Sequence, residues 1–244
     1  MQITANAWNE YITRLSRLNQ KAGQLMRQYI DTHGTGDADA LITYAAALVT
    51  KYGEGSAELA CQMYDAAAEA SGVTLPSAEP ASTASLGEVK KAVKKNQKSP
   101  PLMASEVSRL VKQAAADTTL KNAARDGAEW AWVPHGDTCP FCITLASRGW
   151  QKASEKLLKG GHAQHIHANC DCEYAVRFDS HTTVAGYDPD KYLAQYNAAG
   201  GNMKKMRREQ YAKNQDKINS QKRAAYAARK ISTNEEKPAA SGIF

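Results

Sequence analysis

Cysteine and histidine residues concentrate in one short stretch, which holds four of the five cysteines of the chain. The first group is Cys139-Pro140-Phe141-Cys142, and the second is His167-Ala168-Asn169-Cys170-Asp171-Cys172. Two residues between paired ligands let a tight turn direct both at one ion, and Zn²⁺ binds thiolate and imidazole tetrahedrally. The spacing therefore predicts a zinc site that uses both groups. Its first four predicted ligands are Cys139, Cys142, His167 and Cys170.

Further residues compete for this metal. Cys172 is an alternative to His167 for the fourth position, because residues i and i+2 of an extended chain point the same way. His162 and His165 are further candidates, and Asp137, Asp171 and Glu173 could accept hydrogen bonds from the ligands. A catalytic zinc keeps one position open for water, whereas this stretch offers more ligands than four positions need. We therefore expect Zn²⁺ as a structural cofactor in a closed site, and no catalytic residues.

Other cysteine chemistries are weighed on the same residues. Two disulfides would need an oxidising compartment, but the first residues, Met1-Gln2-Ile3-Thr4, show no secretory signal. Cys139-Pro140-Phe141-Cys142 also resembles a glutaredoxin redox motif, which belongs at a strand-to-helix turn of a βαβ unit that is not evident here. A zinc deaminase would need His-x-Glu, which the sequence lacks. Disulfides and redox chemistry stay open as alternatives, and a deaminase is excluded.

The formal net charge of +6 is distributed unevenly. Residues 201–230 hold ten basic and two acidic side chains, a net charge of +8, so the rest of the chain is slightly acidic. A basic tail on such a body favours a polyanionic partner, because each neutralised phosphate releases counterions. We predict sequence-independent DNA binding, although a solvated arm would have the same composition. The candidate residues are Lys204, Lys205, Arg207, Arg208, Lys222 and Arg223.

The composition predicts a mainly α fold with a small α+β zinc-knuckle module. Aromatic residues make up 7% of the chain, and alanine is abundant, which suits closely packed helices better than a β-sandwich. The longest apolar run, residues 40–49, is about half of what a bilayer span requires. We therefore expect no membrane segment, and assembly in a cytoplasm. Four regions are predicted: an N-terminal helical unit (1–75), a linker with helices (76–128), the zinc-knuckle module (129–180) and a basic helical tail (181–244).

Helices are predicted from apolar periodicity and punctuating residues. Steps of three and four along Trp8, Tyr11, Leu15, Leu18, Ala22, Leu25 and Tyr29 predict one amphipathic helix packing within the chain. Gly53-Glu54-Gly55 predicts a turn between helices 37–52 and 56–71. The Pro- and Ser-rich residues 75–84 predict a boundary or surface crossover. Helices 86–95 and 105–116 should follow, the former ended by Ser99-Pro100-Pro101, with a weaker continuation over 118–126.

The cysteine groups lie between two predicted strands. Residues 128–133 and 172–178 alternate with the strand period and should pair antiparallel, with a short helix at 151–159 between them. Such a small module has little core, so bound metal would supply part of its folding energy. A helix should start at Pro189, break at Gly200-Gly201, and be followed by a basic helix or arm to about Ile231.

The two-part cysteine pattern resembles that of the Mu F-like head morphogenesis, or minor capsid, proteins of tailed bacteriophages. The likeness rests on Gly136-Asp137-Thr138-Cys139-Pro140-Phe141-Cys142, on Leu145 and Gly149, and on His167-Ala168-Asn169-Cys170-Asp171-Cys172. It covers about residues 130–178. Ala168 replaces a proline of the family pattern, Asp171 replaces an arginine, and the Leu-x-Gly spacing is longer here.

This resemblance implies a non-enzymatic virion component in the capsid interior or at the portal vertex, sometimes delivered with the DNA. Its implied partners are the portal protein and other head proteins, with no membrane and no small-molecule substrate. The competing hypotheses are a zinc-stabilised DNA-binding protein and a nuclease. A nuclease would use the histidines near Asp171 and Asp179, such as His165 and His181, but no pairing of a general base with a hard-metal site is evident.

Overall fold

Three long helices and one shorter helix form the body of the protein in a computed structural model that describes residues 2–136, 138–154 and 170–235. Helix α4 is central: it packs against the other three helices and is buried on most of its surface. Its many small residues, such as Ala114, Ala115 and Ala116, let neighbouring helices approach closely. The helices are α1 (Ala5–His33), α2 (Ala38–Ala70), α3 (Leu86–Asn96) and α4 (Pro100–Asp126).

Helix α1 packs within the chain, as predicted. Thr4 caps it by accepting a hydrogen bond from the backbone N–H of Ala7 at 3.2 Å. The buried stripe drifts from the predicted seven-residue pattern: Met26 and Ile30 are buried, whereas Leu25 and Tyr29 are only half-buried. A straight helix has 3.6 residues per turn, so its buried face rotates away from a strict 3.5 repeat.

The predicted turn at Gly53-Glu54-Gly55 is wrong, because α2 runs through it without a break. The first seventy residues therefore form two long helices instead of three. A Cβ on Gly53 would lie 2.8 Å from Cγ2 of Thr83, so the glycine admits a close chain crossing. Glycine weakens a helix interior by about 1 kcal/mol, a cost that tertiary packing can offset.

The prolines after α3 begin α4 instead of merely ending α3. Pro100 and Pro101 occupy the first turn of α4, where a missing backbone N–H has no helical partner to lose. The helix then continues to Asp126, so the two predicted pieces 105–116 and 118–126 are one element. Helix α3 (Leu86–Asn96) agrees with its prediction and carries a capping box from Ser85 and Glu88.

The segment between α2 and α3 crosses the surface of α4 in an extended conformation. The backbone N–H of Ala81 donates to Thr118 Oγ1 at 2.9 Å. Asn122 accepts from the N–H of Glu79 and donates to its carbonyl oxygen, both at 2.9 Å. Polar side chains of α4 thus replace the secondary-structure partners that this Pro-rich segment lacks.

A small antiparallel sheet packs against the helices. The predicted pairing is confirmed: β2 (Glu129–Val133) pairs along its length with β4 (Glu173–Arg177). The prediction of only two strands is wrong, because β3 (Gln151–Lys152) pairs on the other side of β2. These two residues therefore do not begin the helix predicted for 151–159, and residues 155–159 lie outside the described part.

Both faces of the sheet are buried. Trp130 and Trp132 of β2 pack with Tyr174 of β4 in a cluster that also holds cysteines and α4 residues. Ala131 and Val133 face the other way, into a core shared with α1 and α2. The sheet therefore depends on helices of the body for both of its packed faces.

The remaining elements close the fold and extend it. At the N-terminus, β1 (Gln2–Ile3) pairs in parallel with β5 (Thr183–Val184). Helix α6 (Pro189–Ala198) starts at its predicted proline, and α7 (Met203–Lys213) and α8 (Gln215–Glu235) follow the Gly200-Gly201 break. Within the described ranges, no helix combines the length and apolar character that crossing a bilayer requires.

Candidate metal centre

Three cysteine thiols converge where the sheet meets helix α5 (Pro140–Ala146). The Sγ atoms of Cys142, Cys170 and Cys172 all lie within 4.8 Å of one another, and those of Cys142 and Cys170 are 3.3 Å apart. Cys142 and Cys172 are fully buried, while Cys170 is half-buried. No disulfide joins the cysteines of the described residues. Three thiols at this separation could hold a metal ion.

The distances suit a shared metal better than a disulfide. Zinc–sulfur bonds of about 2.3 Å in a tetrahedron place two sulfurs about 3.8 Å apart. A disulfide requires about 2.05 Å, far below the 3.3 Å between Cys142 and Cys170. The donor set is soft, which favours zinc or another thiophilic ion over Mg²⁺ or Ca²⁺. The residues present therefore fit a thiophilic metal ion, of which Zn²⁺ is one.

Short-range sequence features position these thiols. Cys139 is the N-cap residue of α5, Pro140 occupies the first turn, and Cys142 follows on the same helix. The Cys139 side chain is half-buried and forms a hydrogen bond with the thiol of Cys142. Cys170 and Cys172 lie two residues apart immediately before β4, as in an extended chain. Cys139 therefore stands next to the three-thiol cluster.

Hydrogen bonds among the thiols shift the pKa values of Cys142 and Cys170 in opposite directions. Bonds with Cys139, then Cys170 and Cys172, raise the pKa of the Cys142 thiol well above its usual value. Bonds from Cys142 and Cys172 lower the pKa of Cys170 far below it, with a further contribution from the charge of Lys112. The sulfurs thus share protons through these hydrogen bonds. A metal ion would take the place of the shared protons.

Two residues outside the predicted set contact the cluster. Lys112 of α4 donates through Nζ to the carbonyl oxygens of Cys170 and Cys172, the latter at 2.7 Å. The backbone N–H of His135 points to Cys172 Sγ at 3.4 Å. The sequence signal for Lys112 was a lysine inside the apolar run of α4, two residues after Leu110 and two before Ala114.

The predicted flanking acids lie in different environments. Asp171 accepts a hydrogen bond from Ser16 Oγ of α1 at 2.9 Å. Glu173 is 1% exposed, and burial raises the pKa of its carboxyl to about 7. Its Oε1 accepts the backbone N–H of Tyr174 at 2.9 Å. The predicted ligand His167, the candidates His162 and His165, and Asp137 lie outside the described residues.

The histidines of the alternative nuclease hypothesis form no site in the part of the chain that the structure describes. His181 is exposed, and the Asp179 carboxylate accepts hydrogen bonds from the backbone N–H groups of His181 and Thr182. The cysteine cluster is the one group of potential metal ligands found among residues 2–136, 138–154 and 170–235. Asp179 thus stabilises a local turn.

The basic residues predicted to bind DNA are exposed on the last two helices. Lys204, Lys205, Arg207 and Arg208 lie on α7, and Lys222 and Arg223 lie on α8. Only Met206 of α7 is buried, so nearly the whole helix faces solvent. Tyr211 and Tyr226 are exposed in the same region, at 47% and 72%. This surface is cationic, with two solvent-facing aromatic rings.

Comparisons with known proteins identify the family of the chain. Neither the curated proteins nor the solved structures include a match. One family model, described as VG15 protein, matches residues 2–199. The match includes the four-helix body, the sheet and the cysteine cluster, and it ends before α7 and α8. The chain therefore belongs to the VG15 family, a family of phage proteins.

Proposed function

We propose that this protein is a structural, non-enzymatic component of a phage head, a minor capsid or head morphogenesis protein of the Mu F-like type. The observation that carries the proposal is the buried thiol cluster formed by the two cysteine groups that resemble that family. Membership of a phage protein family supports it. The protein would act at or near the portal vertex of the virion after assembly in the bacterial cytoplasm.

In this proposal the cysteine cluster binds structural Zn²⁺. Cys142, Cys170 and Cys172 would supply three thiolates, and Cys139 or His167 would complete the tetrahedron. The ion would link α5 to the start of β4, two elements that are far apart in sequence. Its binding energy would therefore stabilise the small sheet, whose own core is limited.

The proposed role of α7 and α8 is to contact packaged DNA through phosphates. Their exposed Lys and Arg side chains are long and lie on solvent-facing helices, which suits sequence-independent phosphate contacts. The exposed rings of Tyr211 and Tyr226 could add stacking against unpaired bases. A protein positioned where DNA enters or leaves the capsid would benefit from such contacts.

Association with the portal protein of the same genome tests the proposal directly. The two proteins should co-purify when coexpressed and should migrate together in size-exclusion chromatography. A variant lacking residues 203–244 is the matched comparison, because it removes the basic helices and leaves the body that the family model matches. If this protein and the portal protein are both folded and do not associate, the proposed location is overturned.

Zinc-edge X-ray absorption on protein purified under reducing conditions tests the metal assignment. We expect four ligands, with three sulfurs and one nitrogen or with four sulfurs. A shell with a bound water would favour an enzyme over a structural protein. The absence of zinc from correctly folded protein would overturn the metal assignment and leave the phage family membership unchanged.

A further inference from the structure

Lys112 is a charged side chain buried at the centre of the molecule. Its exposed fraction is 2%, and it lies on the central helix α4. Burying an ammonium group costs several kcal/mol unless other groups compensate the charge. For packing alone, an apolar residue of similar length, such as methionine, would be sufficient at this position of α4. A lysine at this position therefore calls for a specific electrostatic partner.

The partners of Lys112 belong to the cysteine cluster. Nζ donates to the carbonyl oxygens of both Cys170 and Cys172, so it binds the backbone on either side of Asp171. The ammonium also lies 5.9 Å from the ring centroid of Trp132, a cation–π distance. The two hydrogen bonds orient the segment that carries two of the three clustered thiols, and the ring contact ties Lys112 to β2.

The other side of Lys112 faces oxygen acceptors. A cavity of about 10 Å³, the size of one water molecule, is lined by Asn19, Asp171 and Glu173 together with Lys112. Asn19 Oδ1 and Glu173 Oε2 are buried and have no hydrogen-bond partner among the described residues. The surroundings of the ammonium are thus rich in oxygen acceptors. A neutral side chain without a donor would leave the carbonyl oxygens of Cys170 and Cys172 without the hydrogen bonds that Lys112 now donates.

We infer that Lys112 is a positioning residue for the metal centre: its fixed positive charge compensates the thiolates, and its two hydrogen bonds hold the Cys170–Cys172 segment. The inference rests on the proposed zinc site. A divalent ion with three thiolates carries a net charge of −1, and with four thiolates −2. A buried cation beside that centre lowers the cost of placing the charge in the protein interior.

A purely structural tie is the competing explanation. If Lys112 only joined α4 to two carbonyl groups, its loss would destabilise the fold without changing the zinc affinity of the folded protein. If it compensates thiolate charge, the affinity itself must fall. Replacing a group that supports metal ligands from outside typically weakens metal binding by about 10–100-fold.

The test is zinc affinity of the full chain with Lys112→Met, measured by competition with a chromophoric chelator under conditions where circular dichroism shows folded protein. We expect affinity to fall by about 10–100-fold. Cobalt(II) substitution adds a spectroscopic readout, because the thiolate-to-cobalt charge-transfer band reports the number of bound thiolates. Lys112→Gln replaces the ammonium with an amide, which can still donate a hydrogen bond but carries no charge. This variant should lose zinc affinity to a similar extent. This second variant decides the question should Lys112→Met fail to fold.

Two control variants separate local charge from general stability. Lys121→Met removes a lysine from the same helix, where it forms an exposed ion pair with Glu79 at 3.2 Å. Val93→Ala opens the buried core on α3 and lowers stability away from the cysteines. Both should bind zinc like the parent while folded. Parent-like affinity in the folded Lys112 variants would overturn this inference alone, whereas a parent that binds no zinc would overturn the zinc proposal as well.

Discussion

Gly53 of α2 and Thr83 of the extended segment approach so closely that a Cβ on the glycine would lie 2.8 Å from Thr83 Cγ2. Cβ atoms in proteins essentially never approach another heavy atom that closely. A Cβ on Gly55, two residues later, would lie 3.4 Å from Leu18 Cδ1, an ordinary van der Waals distance. A side chain at Gly53 would therefore clash with a neighbour, whereas one at Gly55 would fit.

Alanine substitutions at these glycines should have opposite effects on stability. Gly55→Ala should raise the free energy of unfolding by about 1 kcal/mol, because alanine is the better helix former and the site has room. Gly53→Ala should lower it by about 1–3 kcal/mol through overpacking against Thr83. Urea denaturation followed by circular dichroism measures both. Adding Thr83→Ser should recover part of the loss, and an equal gain at both glycines would refute the close contact.

Local signals in the sequence were sufficient for several elements of this fold. Thr4 and the apolar steps after it marked α1, and the alternation in residues 128–133 and 172–178 marked the paired strands. Glycine and proline were ambiguous, because both interrupt many helices but also serve within them. Gly53 permits a close crossing and Pro100 starts a helix, and each depends on a distant partner or on the direction of the chain.

The residues of the candidate site also differ in whether the local sequence could predict them. Cys142, Cys170 and Cys172 could be grouped from spacing, because two short segments with metal-binding intervals are recognisable without a fold. Lys112 could not be assigned, since it reaches the cluster from a helix that ends before the cysteines begin. Its partners are backbone carbonyl oxygens, which no side-chain pattern encodes.

Asp117 provides a prediction for pH dependence. Burial raises the pKa of this carboxyl on α4 from 3.8 to about 6. The folded state therefore holds the proton more tightly than the unfolded state, and the resulting stability is complete below pH 3.8 and is lost as pH rises through about 6. Asp117→Asn should stabilise the protein at pH 7, by at most about 3 kcal/mol.

Denaturation curves between pH 4 and pH 8 compare Asp117→Asn with its parent. The stability difference should be small near the acid end and should grow until about pH 6, after which it stays constant. Glu54→Gln removes a carboxylate from an exposed position of α2 and serves as the control. A difference between Asp117→Asn and parent that does not vary with pH would contradict a raised pKa at Asp117.

Cysteine variants test the structural role of the metal. Cys142→Ser should abolish zinc binding and unfold the sheet and the residues that follow it, because it removes a buried thiol from the three-thiol cluster. Cys61 is also buried, but it lies on α2 outside that cluster, and burial raises the pKa of its thiol to about 11. Cys61→Ser should therefore be nearly silent. Thermal unfolding and zinc content measure both, and parent-like melting of both variants would refute the metal model.

The basic surface of α7 leads to a prediction about salt dependence. Arg207 and Arg208 are exposed on a helix that buries only Met206. Replacing both with alanine should weaken DNA binding about equally for all sequences, because phosphate contacts carry no sequence information. If each arginine neutralises one phosphate, the slope of log K against log salt should become shallower by about 2.

Fluorescence anisotropy with two unrelated duplexes, titrated over a range of salt concentrations, measures that change. The matched control is Lys90→Ala with Lys91→Ala, which removes the same charge from exposed positions on α3. Long-range attraction alone would weaken binding similarly in both double variants, since it depends on the net charge of the protein. Direct phosphate contact requires a larger loss and a larger change of slope for the arginine pair. Equal effects would therefore argue that α7 does not touch the DNA.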